Sequence, residues 1–301
     1  MINRPRPKLL AAACAAVTVA CAGAEEANVP FSVAEVGFET PESVLHDQMA
    51  DVYLVANING DPFGKDGNGF ISRVAPNGSV EALKWIDGGA SGVTLNAPKG
   101  MGISGDTLFV ADIDAVRMFH RTTGAPLGAR EIEGATFLND IAVGPDGTVY
   151  VTDSGLKEGF ELSGTDALYR FGPNGEAIAL AESRDLGRPN GIHAGARNIV
   201  LVTFGSGEAF SIDPRSGFGN PLPSPPMGQL DGVWRLADGS VLMSSWEGQC
   251  VYRMAKNGEY SVVVDSVEAP ADIGYDARRN RVLIPLFNAN RLEIRPLEME
   301  R

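Results

Sequence analysis

Cysteine and histidine are both scarce here, with three of each among 301 residues. Cys14 and Cys21 fall within the first 24 residues, so Cys250 is the one thiol left in the body of the chain. A disulfide framework is therefore excluded, and stability must come from a packed core. Cys250 sits in the strand-like run Cys250-Val251-Tyr252-Arg253, the setting of a buried structural thiol rather than a nucleophile. His46, His120 and His193 show no zinc-ligand spacing. Positive charge is also short: 25 Lys and Arg stand against 38 Asp and Glu, a net charge of −13. That balance argues against a nucleic-acid partner, which needs a basic surface. After the N-terminal region no apolar run is long enough to cross a bilayer. There is no G-x-S-x-G elbow, no Cys–His pair and no phosphate-binding glycine motif.

The N-terminal region has the composition of an address. Arg4, Arg6 and Lys8 precede an apolar run from Leu9 to Cys21, and Ala22-Gly23-Ala24 supplies the small residues of a cleavage point. Residues 1–24 are expected to be a signal peptide, and 25–301 a single exported domain, periplasmic or extracellular. Lipid anchoring through Cys21, after Val19-Ala20, is the minor alternative, since Thr18 fits that use poorly.

The rest of the chain is rich in short alternating segments separated by turn dipeptides: Asn77-Gly78, Asp146-Gly147, Asn174-Gly175, Asp238-Gly239 and Asn257-Gly258. Alternation bounded by such turns means antiparallel hairpins. One unit is especially clean: 231–236, 240–245, 250–255 and 260–265 read as four strands, the content of one propeller blade. Six units open with a polar residue leading into an apolar strand, at Glu42, Lys99, Asn139, Asn190, Asp231 and Asp272. The two longest intervals carry their excess between strands two and three, at 58–69 and 154–165. Six openings predict an all-β, six-bladed β-propeller. The last unit has only three strand signals, and the segment 31–38 can supply the fourth. Pairing the two ends of the chain would remove open sheet edges.

In such a ring the first strand of each blade lines the channel, and its starting end faces the side that carries the long loops. The six opening residues should converge on one mouth. Glu42, Asn139, Asn190 and Asp231 then offer two carboxylates and two carboxamides as hard oxygen donors. That set suits Ca²⁺, which takes about six to eight oxygens in flexible geometry, with another divalent cation as the alternative. Trp85, Trp234 and Trp246 are expected to be packing residues.

Pro41-Glu42, Leu138-Asn139-Asp140, Pro189-Asn190-Gly191 and Leu230-Asp231-Gly232 resemble the motifs of the senescence-marker-protein, gluconolactonase and luciferin-regenerating-enzyme family. The resemblance covers nearly all of residues 25–301. It implies that Glu42, Asn190 and Asp231 hold a divalent metal, usually calcium, and that Asn139 contacts metal or substrate. Sugar-lactone hydrolases of the family carry an Arg two residues before the blade-three Asn, where this chain has Phe137. Ser43, Val44 and Leu45 also replace the family's Gly-Pro and Trp. The resemblance thus implies a calcium-dependent hydrolase, acting on a lactone or ester less polar than a sugar lactone, with Phe137 against it.

The resemblance points to Asp231 as the acceptor of a water proton. Asp272, on the same ring, and His193, three residues after Asn190, are further catalytic candidates. A non-catalytic binding propeller for a metabolite or an envelope protein is the rival function, since this fold hosts many. A lyase or isomerase using the same metal is a third.

Overall fold

The computed structural model describes residue 1 and residues 29–298; the leader and Cys21 lie outside the segment described. Six four-stranded antiparallel sheets follow one another along the chain. Blade one comprises Pro41–Asp47, Val52–Asn57, Phe70–Val74 and Val80–Asp87, running outward from the channel. Blade two comprises Pro98–Ser104, Thr107–Asp112, Ala115–His120 and Pro126–Glu131. Blade three is Leu138–Val143, Val149–Asp153, Ala167–Phe171 and Ala177–Glu182. Blade four is Pro189–Ala194, Ile199–Thr203, Ala209–Ile212 and Gly219–Pro221. Blade five is Leu230–Arg235, Val241–Ser245, Cys250–Met254 and Tyr260–Val264. Blade six joins Gly274–Asp276, Arg281–Leu286 and Arg291–Pro296 to Phe31–Val33 from the other end of the chain. The N-terminal strand thus fills the gap left by the sixth unit, and a six-bladed propeller is closed.

The burial pattern explains the ring. Five of the six second strands are buried along their whole length, Val52–Asn57 and Ile199–Thr203 among them, because both faces meet a neighbouring blade. Among the described residues six apolar clusters are each shared by two adjacent blades, one of them joining Leu54 and Ile71 of blade one to Met101 and Leu108 of blade two, and a smaller seventh gathers Ile58, Ala97 and Ile113. The outermost strands, such as Pro126–Glu131, are largely exposed and more polar. Ser43 and Asp272 pair directly, so blade six meets blade one. Cys250 is buried, and burial raises its thiol pKa, the condition of an inert structural thiol. Among the described residues no helix is long and apolar enough to cross a membrane.

One feature of the first strands positions the site. In blades one to five their pairing with strand two is interrupted at the opening: between Pro41 and Ser43, Pro98 and Met101, Leu138 and Ile141, Pro189 and Ile192, and Leu230 and Val233. A bulge releases a residue from the ladder and re-aims its side chain. The released residues include Glu42, Lys99, Asn139, Asn190 and Asp231. Glycine follows three of them, and the reason is proximity, not backbone angle. A Cβ on Gly191 would run into the Asp231 carbonyl oxygen, one on Gly232 into the Ile273 nitrogen, and one on Gly100 into Asp140. The first strands crowd around the channel, and only a bare Cα lets them pass.

Candidate functional site

The ends of the second strands fix the turns that lead into the ring. Asp112 accepts the backbone N–H groups of Asn96 (3.1 Å) and Ala97 (2.8 Å). Asp153 does the same for Thr136 (2.9 Å) and Phe137 (3.0 Å), and Asn57 for Glu39 (3.1 Å). These buried side chains spend their oxygens on backbone donors, which makes them structural. One residue earlier, a hydroxyl links neighbouring blades: Thr152 accepts the Asp140 N–H and donates to the Asn190 carbonyl (2.7 Å). Ser244 repeats the device, accepting from Gly232 N–H and donating to the Ala271 carbonyl (2.8 Å). The bulges are thereby held in a fixed register around the axis.

At the loop-bearing mouth lies a cavity of about 380 Å³. Glu42, Asn139, Asn190, Asp231 and Phe137 all line it, so five of the residues singled out in the sequence come together. Glu42, Asn139, Asn190 and Asp231 are each about 95% buried, and each leaves one oxygen without a hydrogen-bond partner: Oε2, Oδ1, Oδ1 and Oδ1 respectively. Among the other polar groups of the site, the Asn139 amide donates to Ser154 Oγ (3.0 Å) and Ser154 donates to the Pro189 carbonyl (2.6 Å), while the buried Trp246 indole nitrogen has no hydrogen-bond partner. Four orphaned acceptors from four blades thus face one space. Among the described residues no group of three His, Cys, Asp or Glu forms a metal cluster, because half of this donor set is carboxamide.

The electrostatics are those of crowded acids. Burial pushes the Glu42 carboxyl well above its ordinary value, and Asp231 and Asp272 add to the rise. Burial and Asp272 do the same to Asp231, partly opposed by the Trp246 indole N–H. Asp140 is raised by burial and by Asp272, although the Ile192 N–H (2.8 Å) and the Ile141 N–H bond to it. Asp272 itself is pushed up to about 7 by burial, against a short bond from Ser43 Oγ (2.5 Å). It sits on the ring behind the cavity lining, where its charge acts on Glu42, Asp140 and Asp231.

His193 is not brought to this mouth. It lines a separate cavity of about 390 Å³ with Leu45, Met101, Ile141 and Trp234, residues further along the first strands. Its ring packs edge-on against Trp234 at 4.8 Å, and burial lowers its pKa to about 4.

Several lining residues were not taken as site residues from the sequence. Lys99, an opening residue, is buried with Nζ 4.3 Å from the Phe137 ring centre and bonded to the carbonyls of Ala97 (3.1 Å) and Pro62 (3.4 Å). Burial lowers its pKa, while Glu42 and three Asp residues oppose the fall. In four of the six blades the residue directly after the second strand adds to an apolar collar: Ile58, Phe204, Trp246 and Phe287 line the cavity, and Ser154 is the polar equivalent in blade three. Trp246 therefore belongs to the site, unlike Trp85, which packs on an inter-blade core. In blades three, four and five the residue two places before the opening supplies Phe137, Arg188 and Gln229 to the same cavity. Both positions were legible as repeat equivalents once the strand ends were known. The long loops meet above: Phe63 stacks on Phe137 (4.8 Å) and against Phe160 (5.1 Å).

The architecture is that of a six-bladed propeller with an oxygen-rich ring at one mouth of its channel. Its neighbours among solved structures include gluconolactonases and lyases. A gluconolactonase from Xanthomonas campestris aligns over 89% of both chains, with 18% identity and a TM-score of 0.69. A putative gluconolactonase aligns over 91% of this chain and 95% of its own, with 15% identity and a TM-score of 0.66. A virginiamycin B lyase from Staphylococcus aureus, solved with quinupristin, aligns over 88% and 98%, with 13% identity and a TM-score of 0.59. At these identities the likeness is one of fold. Neither a protein-family model nor a curated protein sequence matches the chain.

Proposed function

We propose that the protein is an exported hydrolase of a small lactone or ester, dependent on a divalent cation held at the mouth of the channel. One observation carries this reading: four buried oxygens from Glu42, Asn139, Asn190 and Asp231 face a single cavity without partners. Buried acceptors left bare are costly, and crowded carboxylates compound the cost. A shared cation removes both penalties. Hard carboxylate and amide oxygens suit calcium, with another divalent metal as the alternative, and export would take the site to compartments where calcium is plentiful. When bound, such a cation polarises a carbonyl and stabilises the negative charge that develops as water adds.

The chain's own residues supply the rest. Asp231, which lines the cavity and would hold the cation through Oδ1, would take the water proton on its other carboxylate oxygen. Asp272 lies behind it and acts through it, raising its affinity for that proton. His193, in the other cavity, has no route to the same carbonyl. Phe137 and the collar of Phe204, Trp246 and Phe287 exclude water and favour an apolar substrate body. The gluconolactonase neighbours favour a lactone. The exposed apolar side chains of Phe160 and Leu162 beside the mouth favour a second reading, a binding propeller without turnover.

The test is hydrolysis of dihydrocoumarin, gluconolactone and 4-nitrophenyl acetate by the purified protein, in CaCl₂ and in EDTA. Turnover of the aromatic substrates should vanish in EDTA, return with calcium and fall about 100-fold or more in Glu42→Gln. Absence of both turnover and bound metal by elemental analysis would leave the binding propeller as the function.

A further inference from the structure

The cavity carries one arginine, whose charge acts on Asp166 without a direct ion pair. Arg188 lines it, two residues before Asn190, yet its guanidinium makes no hydrogen bond or ion pair among the described residues. Four other arginines of this acidic protein are tied to carboxylates, Arg117 to Asp112, Arg121 to Asp47, Arg253 to Asp238 and Arg279 to Asp51, while Arg130, Arg170 and Arg235 each leave a buried Nε without a hydrogen-bond partner. Arg188 is nonetheless placed with care. Its backbone takes a left-handed φ of 60°, held by an N–H bond to Asp166 Oδ2 (2.8 Å) and by the Phe204 N–H bonding to its carbonyl (3.0 Å). Its side chain lies across Gly205, where any Cβ would collide with Nε. A strained backbone and a bare glycine keep five N–H donors at the wall of an aromatic cavity.

Lys99 does not duplicate it. Its ammonium is occupied by two carbonyls, by the Phe137 face and by the charge of Glu42. Gln229, at the same place in the repeat as Arg188, adds an uncharged amide to the lining.

We infer that Arg188 is an anchor for a negatively charged group on the substrate, which is therefore an amphiphilic anion: an apolar, preferably aromatic, body carrying a carboxylate apart from its reacting carbonyl. This deepens the proposed function and rests on its identification of the cavity as the substrate site. The guanidinium fork matches a carboxylate in two parallel bonds, and the collar of Phe204, Trp246 and Phe287 takes the body. Hydrolysis would then release a product with one more carboxylate than the substrate.

The experiment compares binding of 4-phenylbutyrate and 4-phenylbutanol by calorimetry, to the full-length mature protein with calcium and after EDTA. Wild type should favour the carboxylate by about tenfold or more in both conditions, the difference expected of a charge-assisted pair. Arg188→Gln should lose that preference and keep its affinity for the alcohol. Arg188→Lys should keep part of it. Gly205→Ala, which leaves the charge but displaces it, should lose the preference as well, which guards against a folding defect peculiar to one variant. A preference that survives in Arg188→Gln and disappears in EDTA would mean the anion is read by the metal, and would overturn the inference. Equal affinity for the two compounds in wild type would also overturn it. The hydrolase reading fails separately, by absence of turnover on the ester and lactone panel.

Discussion

At the residue scale the ring is a set of acids kept together against their mutual repulsion. Glu42, Asp140, Asp231 and Asp272 are all pushed toward protonation, chiefly by burial and in three of them by neighbouring acids. A cation that binds only the folded state adds stability as the logarithm of its concentration over its dissociation constant. Two effects of Asp231→Asn should therefore have opposite signs. In EDTA the substitution relieves repulsion and should raise the thermal midpoint; in CaCl₂ it should abolish the increment that wild type gains. Differential scanning fluorimetry in both buffers measures this, and a variant that gains from calcium as much as wild type would remove Asp231 from the ligand set. His193 gives a second prediction with a different sign. Its pKa falls from 6.5 to about 4 on burial, so the folded state holds the ring neutral while the unfolded chain protonates it. Stability from this group is complete above pH 6.5 and is lost as pH falls toward 4. Urea unfolding at pH 7 and pH 4.5 should show a steeper loss in wild type than in His193→Gln.

At the element scale the bulged opening of each first strand does most to make the site. In blades one to five it frees a polar residue from the ladder, and in three of them the glycine after it admits the next strand. Gly191 and Gly232 are required by the approach of Asp231 and of Ile273, and neither is among the residues of positive φ. Gly232→Ala should force the first strands of blades five and six apart and destabilise the fold by about 2 kcal/mol or more. Gly239, at the tip of a hairpin in the same blade, meets only the flexible Lys256 side chain but has φ 89°. Its alanine variant should cost less, about 1 kcal/mol, through backbone strain alone. Chemical denaturation of the two variants separates crowding from conformation; equal losses would refute the crowding argument.

For the whole molecule, closure is the main structural commitment. Phe31–Val33 pairs with Arg291–Pro296, and Val33 and Phe38 enter the core that joins blades six and one. Ser32 also bonds to Glu293 (2.6 Å). A chain beginning at Glu39 would expose the strand Arg291–Pro296 as an unpaired edge and open that core. Its thermal midpoint should fall by about 5 °C or more, and light scattering should show association through the edge. Unchanged stability would mean the ring closes on blade-to-blade packing alone.

The sequence by itself determined the number of blades, the strand that closes the ring and four of the polar residues at the mouth. Each of these is a periodic or local signal: turn dipeptides mark hairpins, and a polar residue before an apolar strand marks an opening. Asp272 was legible as a ring member, but only the packing places it behind the lining rather than in it. His193 looked close to Asn190 because three residues separate them, yet an extended strand carries it along the channel to another cavity. Trp246, Arg188 and the aromatic collar belong to turns whose direction is set by the bulges and by contacts between blades. Their convergence depends on distances between residues far apart in the chain. A one-dimensional repeat states which positions are equivalent; only the closed ring decides which of them share a space.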